Sequence, residues 1–510
     1  EIYTLSLHDA LPIWLVAVEY ARFADRVIDL TNGGTTVGGS SGGSTGGGST
    51  GGGSTGGGST GGSTTGLIRV PDVPAAGASG ELVGMTLQNA SAAAQAAAIV
   101  SFGQVFKPGD LMPGTGLVAV INGVSVPVQV DVKALNADGS VRHAILTLQA
   151  PAIAGNGEVD VMLKQGAAPT GAALTAQDAI ARGLNVTLDV NLRNADGSST
   201  LKSVNVAQLL QSSIANGTVE TWMSGSLASE FRVQTTLTTG LKAIFDIRVM
   251  ADGNIRTDVI LANDSTFTPN VNAFTYDVAV KQGGTVVYSE ANMFHHANST
   301  WHVEAWLRGE PAINVQRDVG YLIATGAVPA LDTAQGVDAA AIAADYAALA
   351  AADTGPLGAA FVTQYMPMTG GRPDLGPIPE WYARYLLTQD ARAFEVMMAQ
   401  ADAAGSVPWH YTAEATGDPV RVDQYPRLWI DSRGTGSGSV PDMPPASALA
   451  GWTYDLAHAP ALSYLPYLFT GSHYHLDELQ AQAATEIASR SPAYAIAPGI
   501  MNPPAEQLRA

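Results

Sequence analysis

The side chains best suited to move protons in this chain lie in its C-terminal part: His410 and Tyr411 in the run PWHY, and His458 in the run DLAH. Arg372 in TGGRPD, Arg384 in WYARY and Arg421 stand in the same region, and a guanidinium holds a carboxylate by two oxygens at once. General acid–base chemistry on an anionic substrate is the reaction type this set supports. Trp381, Tyr382, Trp409 and Trp452 add flat rings on which sugars stack, although packing is the commoner fate of an aromatic ring in a helical region. His458 is the sharpest candidate, because a histidine in the first turn of a helix is held neutral and base-competent by the positive end of the dipole. Asp455, three residues before it, and Asp431 are the carboxylates to inspect for a two-carboxylate hydrolysis. His473 and His475 are one residue apart and point to different faces of a helix, which is poor spacing for a metal pair.

The elements that must position these groups are legible around the stretch GWTYDLAHAPALSYLPYLFTGSHYHLDEL (451–479), which carries three of the nine histidines. The spacing predicts a helical hairpin: one helix from about His458, a break at Thr470-Gly471-Ser472, and a second helix from about His473. Gly471 supplies the left-handed stop and Ser472 the cap. Leu476, Leu479, Ala483 and Ile487 recur at helical spacing and predict the buried face of the second helix. Upstream, GVDAAAIAADYAALAAAD, PEWYARYLLT and DARAFEVMMAQADAAG read as helices, with Pro379 at a first turn and Gly405 as a stop. A long loop, 407–445, separates them from the hairpin; loops of that length inside a domain are usually functional or disordered, and the aromatics and histidine of this one favour function.

From 67 to 317 the texture is different: short runs of Val, Ile, Leu, Thr, Phe and Tyr divided by Gly, Asn and Asp. GLVAVINGVSVPVQVDVKAL alternates across Asn122-Gly123, the strongest short hairpin signal. Asp138-Gly139, Asp196-Gly197 and Asp252-Gly253 read as turns rather than calcium ligands. A helical insertion is expected around 203–216. In MFHHANSTWHVEAW a single strand would put His296 and His302 on one face and His295 on the other. Residues 318–510 form the helical half.

Composition narrows the partners. The 510-residue chain has a formal charge of −20 and only 14% charged residues, which argues against nucleic acid and anionic membrane surfaces, both of which require basic surface. It has no cysteine, so disulfides and thiolate metal sites are excluded. No apolar run is long enough to predict a membrane span. Residues 1–13 resemble the in-frame translation of a sequencing adapter, 14–32 read as the remnant of an upstream module, and 33–66, rich in Gly, Ser and Thr with tandem GGGST, as a flexible linker. No GxSxG, Walker, HExxH or dinucleotide motif is present.

FGQVFKPGDL (102–111), VPVQVDV and DGSVRHAILTL (138–148) together resemble the N-terminal RIFT-barrel domain of the exo-rhamnogalacturonan lyase/YetA-like group. ADGNIRTDVILAND, TYDVAVKQGG, YMPMTGGRPDLGPIPEWYARYLL and GSVPWHYTAEATGDP are similar to bacterial proteins of the same architecture. The resemblance implies a β-rich RIFT-barrel-like domain over 67–317 followed by an (α/α) toroid over 318–510, incomplete because a closed ring requires more helices than the chain carries. It also implies a secreted or cell-surface protein that meets a polysaccharide or other glycan, with polysaccharide-lyase-like β-elimination as the activity. That reaction requires a group to neutralise the uronate carboxylate, a base for the ring proton and an acid for the leaving oxygen. His410, Tyr411, His458 and Arg372 are the candidates for catalysis, and Trp381, Tyr382, Arg384, Trp409, Arg421, Trp452 and Asp455 for substrate binding. No cofactor is implied, and a structural or catalytic calcium ion and the oligomeric state are left open. The alternative readings are a non-catalytic glycan-binding adhesin of a cell surface or virion and, behind it, a glycoside hydrolase.

Overall fold

Asn122 and Gly123 both adopt left-handed backbone (φ 51° and 77°), so the chain folds back within two residues and pairs Ile121 with Val124. That hairpin sits at the centre of a seven-stranded antiparallel sheet in a computed structural model of the chain. Residues 66–267, 273–368, 372–430, 439, 450–455, 458–497 and 500–501 are described, together with three short strands between Tyr20 and Val37. The adapter-like residues 1–13, most of the linker, and Asp431 lie outside them.

The chain divides into two units. The first, Ser6–Leu67, contains an antiparallel sheet of Tyr20–Arg22, Val27–Asp29 and Thr36–Val37. The second, with Ile68–Ala510 as its main body, is β-rich. Its first six long strands are Glu81–Asn89 (β1), Ala98–Val105 (β2), Leu117–Ile121 (β3), Val124–Leu135 (β4), Val141–Ala150 (β5) and Glu158–Gln165 (β6). They are followed by Val186–Arg193 (β7), Ser199–Asn205 (β8), Glu220–Met223 (β9), Ala228–Thr238 (β10), Leu241–Met250 (β11) and Ile255–Asn263 (β12). Phe274–Gln282 (β13), Thr285–His295 (β14), Ser299–Trp306 (β15) and Ile313–Arg317 (β16) complete the set.

The region expected as one β domain holds two sheet systems. In the order β16-β1-β6-β3-β4-β5-β2, seven strands curl into a nearly closed, barrel-like sheet. Inward-facing Met85, Leu87, Leu117, Leu146, Leu148, Val161 and Leu163 are fully buried in its core, each contributing about 1.5–3 kcal/mol. A four-stranded sheet (β8-β7-β13-β14) and a five-stranded sheet (β9-β10-β11-β12-β15) share a second core, which includes Leu188, Phe245, Ile247, Val259, Tyr276 and Trp301. The helices Ala176–Ala181 (α1) and Val206–Asn216 (α2) pack against it, so the expected helical insertion is present. The three Asp-Gly pairs make turns: Oδ1 of Asp138, Asp196 and Asp252 accepts from the amide two residues on, at 2.9 Å in each case.

The C-terminal half carries, among the described residues, Val319–Ala324 (α3), Ala339–Leu349 (α4), Glu380–Thr388 (α5), Ala391–Asp402 (α6), Tyr464–Thr470 (α7) and His473–Ala488 (α8). The break between α7 and α8 is as the sequence predicts, with Gly471 left-handed at φ 64° and Ser472 capping the amide of His475. Two expectations are corrected. Residue 458 lies in a turn and α7 starts at Tyr464, because Pro466 is accommodated in a helix's first turn but would break the interior of a helix begun at 458. The buried face of α8 is His473, Tyr474, His475, Glu478, Ala481, Gln482 and Thr485, while Leu476, Leu479, Ala483 and Ile487 are only half-buried. Polar residues are buried because of what α8 meets, namely the charged face of the five-stranded sheet.

Candidate functional site

Two loops zip together to build the outer of two polar clusters. Thr453 donates its amide to Gln364 O and accepts at its carbonyl from Met366, both at 2.8 Å, and Ala461 donates to Gly376 O at 3.1 Å. This pairing brings Asp455 and His458 beside Arg372. A tight turn (His458 N to Asp455 O, 3.2 Å) lets the Asp455 carboxylate bond His458 Nδ1. Arg372 Nη2 donates to the His458 carbonyl at 2.8 Å, Nη1 to Tyr365 O at 3.4 Å, and Nε stands 3.1 Å from Asp374 Oδ1. The side chains of His458 and Asp455 keep 25% and 31% of their surface open, and Tyr365, whose carbonyl Arg372 also reaches, is 57% exposed. An aspartate on Nδ1 fixes the imidazole tautomer and leaves Nε2 as the lone-pair nitrogen. Nε2 of His458 makes no hydrogen bond among the described residues. The structure therefore joins three of the sequence candidates, Arg372, Asp455 and His458, and adds Tyr365, which sequence reading missed. Asp455, rather than a helix N-terminus, is the group that faces His458 Nδ1, and the Arg372 guanidinium is engaged by protein groups.

The other candidates are placed elsewhere. His410 is buried, with Nε2 2.6 Å from Glu478 Oε2 and Nδ1 3.1 Å from the carbonyls of Asn298 and Val407. Burial works to lower its pKa, but the Glu478 carboxylate outweighs it and raises the value. Glu478 in turn accepts from Thr300 Oγ1 at 2.6 Å. Tyr411 is buried with its hydroxyl 3.4 Å from that of Tyr454. Trp381, Tyr382, Trp409 and Trp452 are core residues, so the rings expected to carry sugar are instead packed against protein, as large apolar surfaces favour. Arg384 is paired with Asp345 and Glu380, and with Trp381 it borders a small recess of about 10 Å³. Arg421 pairs with Asp423 at 2.6 Å.

The second cluster was not foreseen. One face of the five-stranded sheet is apolar and belongs to the sandwich core, and the other carries charge in register. Glu230 (β10) is opposite Arg248 (β11), which is opposite Arg256 (β12), while Arg232 is opposite Asp246, which is opposite Asp258. Arg232 binds Asp246 through two bonds of 2.7 Å and reaches Asp477 of α8 at 2.7 Å. Arg248 and Arg256 both hold Glu230 Oε2, and these guanidiniums keep the Glu230 pKa low against the opposing effect of burial. His302 bridges Asp258 (2.8 Å) and Asp402 (3.0 Å). Burial opposes its charge, yet the two carboxylates raise its pKa well above the ordinary value. His302 also stacks on Tyr474 of α8 at 3.8 Å. His295 ends β14 and His296 lies in the following turn, so the three histidines do not share one strand. Neighbouring His473 and His475 are held neutral chiefly by burial, with pKa values pulled down to about 4. The signal was present in the sequence as charges two residues apart on β-patterned strands, Glu230/Arg232, Asp246/Arg248 and Arg256/Asp258, with Phe231, Ile247 and Thr257 between them. No family model and no curated protein matches this chain.

Proposed function

We propose that this chain is a secreted or cell-surface carbohydrate-active protein, and that its working site is the Tyr365–Arg372–Asp455–His458 cluster, acting on an acidic glycan by β-elimination. The observation that carries the reading is the half-open Asp455–His458 pair, whose Nε2 has no protein partner among the described residues. In this mechanism Asp455 holds the Nδ1 proton, Nε2 removes the ring proton next to the uronate carboxylate, the freed electron pair forms the ring double bond as the neighbouring glycosidic C–O bond breaks, and the leaving oxygen takes a proton from water while Asp455 stabilises the imidazolium. Tyr365 offers a ring for the sugar to stack on. Arg372 acts as a positioning residue, since it holds the backbone of His458 rather than offering a free guanidinium. The finer reading of the fold, a RIFT-barrel-like domain followed by an incomplete (α/α) toroid, accompanies this proposal. The helical pairs α5–α6 and α7–α8 are in keeping with it.

A second reading, non-catalytic glycan binding, is favoured by the burial of His410 and Tyr411, which leaves the cluster without the general acid expected of them. The experiment that separates the two incubates the protein with a panel of acidic glycans and follows the ultraviolet absorbance of unsaturated uronate products, alongside calorimetric binding. Product that disappears in His458→Ala supports the lyase. Binding without product supports the adhesin, and neither would overturn both.

A further inference from the structure

Three metal-competent side chains meet beneath α8, apart from the Asp455–His458 cluster. Glu230 on β10, Asp246 on β11 and His473 at the start of α8 each place one ligand atom within 4.8 Å of the other two. His473 Nδ1 is 3.9 Å from Asp246 Oδ1, too far for a hydrogen bond but close to the separation of two ligands that each stand about 2.0–2.2 Å from one ion. Glu230 Oε1 and His473 Nδ1 are both buried without a hydrogen-bond partner, on residues that are 0% and 7% exposed. Leaving a buried polar atom unpaired costs about 1–3 kcal/mol, and two such atoms on residues of one buried cluster call for a partner.

We propose that Glu230, Asp246 and His473 form a buried site for one divalent transition-metal ion, zinc or manganese in type, that fastens α8 to the sheet. The donor set of one imidazole and two carboxylates suits these ions better than calcium, which takes six to eight oxygens. The surroundings are those of a supported ligand shell. His473 Nε2 faces two carboxylates, Glu220 Oε1 and Asp477 Oδ1, each 3.9 Å away, outside hydrogen-bond range here but the groups nearest to receive the second ring N–H that a metal-bound histidine gives to a carboxylate. Trp222 stacks on the ring at 4.3 Å and 11°, and its own Nε1 is tied to Gly471 O at 3.1 Å. Arg248 and Arg256 take Glu230 Oε2 and leave Oε1 free, while Arg232 holds Asp246. The three guanidiniums oppose a cation here, as does Lys133 on the Trp222 ring. They are shared among Glu230, Asp246, Glu304 and Asp477, and Glu220 adds further negative charge beside His473.

The test takes the whole chain, strips it with a chelator and titrates Zn²⁺, Mn²⁺, Mg²⁺ and Ca²⁺ separately by calorimetry, with thermal unfolding followed in parallel. One equivalent of Zn²⁺ or Mn²⁺ should bind and raise the unfolding midpoint. His473→Gln should weaken that binding by about 100-fold or more, and Glu220→Gln, at an exposed position that leaves folding intact, by about 10–100-fold. Absence of saturable binding, a response to Ca²⁺ or Mg²⁺ alone, or undiminished affinity in Glu220→Gln and in any folded His473→Gln protein would each overturn the proposal. The readouts are independent of glycan activity.

Discussion

Arg317 Nη2 donates to the backbone carbonyl of Gly103 at 3.3 Å, so a side chain on one edge strand of the barrel-like sheet, β16, reaches the other edge strand, β2. The same nitrogen donates to Phe469 O at 2.8 Å, Nη1 donates to Val315 O at 3.0 Å, and the guanidinium lies 4.3 Å over the Phe469 ring. Phe469 is near the C-terminal end of α7, where helix carbonyls lack intrahelical donors and the dipole favours a cation. One buried arginine thus spans the seam of the sheet and fastens the helical half to it.

Removing that arginine is expected to be costly. Arg317→Ala should lower unfolding free energy by about 3–5 kcal/mol, the range for breaking a buried charged network, measured by urea denaturation. Arg317→Lys should recover only part of this, since an ammonium cannot span several carbonyls in one plane. A loss under about 1 kcal/mol for the alanine variant would contradict the role.

Close approach at the same seam gives a second expectation. A Cβ on Gly103 would stand 2.1 Å from Leu468 O and 2.9 Å from His143 Nε2. Gly103→Ala should destabilise by about 1–3 kcal/mol or more through overpacking. Combined with Arg317→Ala the two losses should not add, because both act on the α7 junction; strict additivity in a double-mutant cycle would speak against the shared contact.

At the outer cluster, His458→Ala and Asp455→Asn should leave stability within about 0.5 kcal/mol, as for substitutions near the surface. Both should reduce formation of unsaturated product, the histidine variant by about 10²–10⁴-fold as expected for loss of a general base. Tyr365→Ala should raise KM with little change in kcat, because stacking holds substrate and transition state alike. Full activity in His458→Ala would remove the proposed base.

Stability should peak near neutral pH. His143, His295 and His296 are buried, and burial pulls their pKa values to about 4, 3 and 4 from 6.5. The unfolded chain therefore binds more protons below pH 6.5, and stability falls as the pH drops from there toward 4. His410 behaves oppositely: Glu478 raises its pKa against the effect of burial, so its contribution is complete below 6.5 and is lost as the pH rises through the raised value. His302, raised against burial by Asp258 and Asp402, adds to the same alkaline loss, so Glu478→Gln should reduce that loss while leaving the acid limb in place. Unfolding free energies across pH 4–9 check both limbs, and an unchanged alkaline limb in that variant would refute the assignment.

Local structure was legible where a short-range rule governs it. The Asn122-Gly123 hairpin, the Asp-Gly turns, α2 and the Gly471-Ser472 break follow from turn and cap chemistry within a few residues. For the outer cluster, Arg372, Asp455 and His458 were legible as types of residue but not as neighbours, because the loop pairing of Thr453 with Gln364 and Met366 joins segments far apart in the chain. Tyr365 gave no signal, since exposure is not encoded by spacing in an irregular loop.

Sequence alone determined which stretches extend, turn or coil, the absence of cysteine chemistry, and the acidic balance of the chain, since these depend on residue identity and near neighbours. Tertiary structure decided which surfaces meet. A helix shows two faces, and the hydrophobic rule selects the apolar one only when its partner is apolar. Opposite α8 lies a sheet face of paired arginines and carboxylates, so His473, His475 and Glu478 turn inward and Leu476 and Leu479 remain half-open. The Trp and Tyr rings expected to carry sugar fill cores instead, because burial of large apolar area outweighs any preference an isolated residue can express.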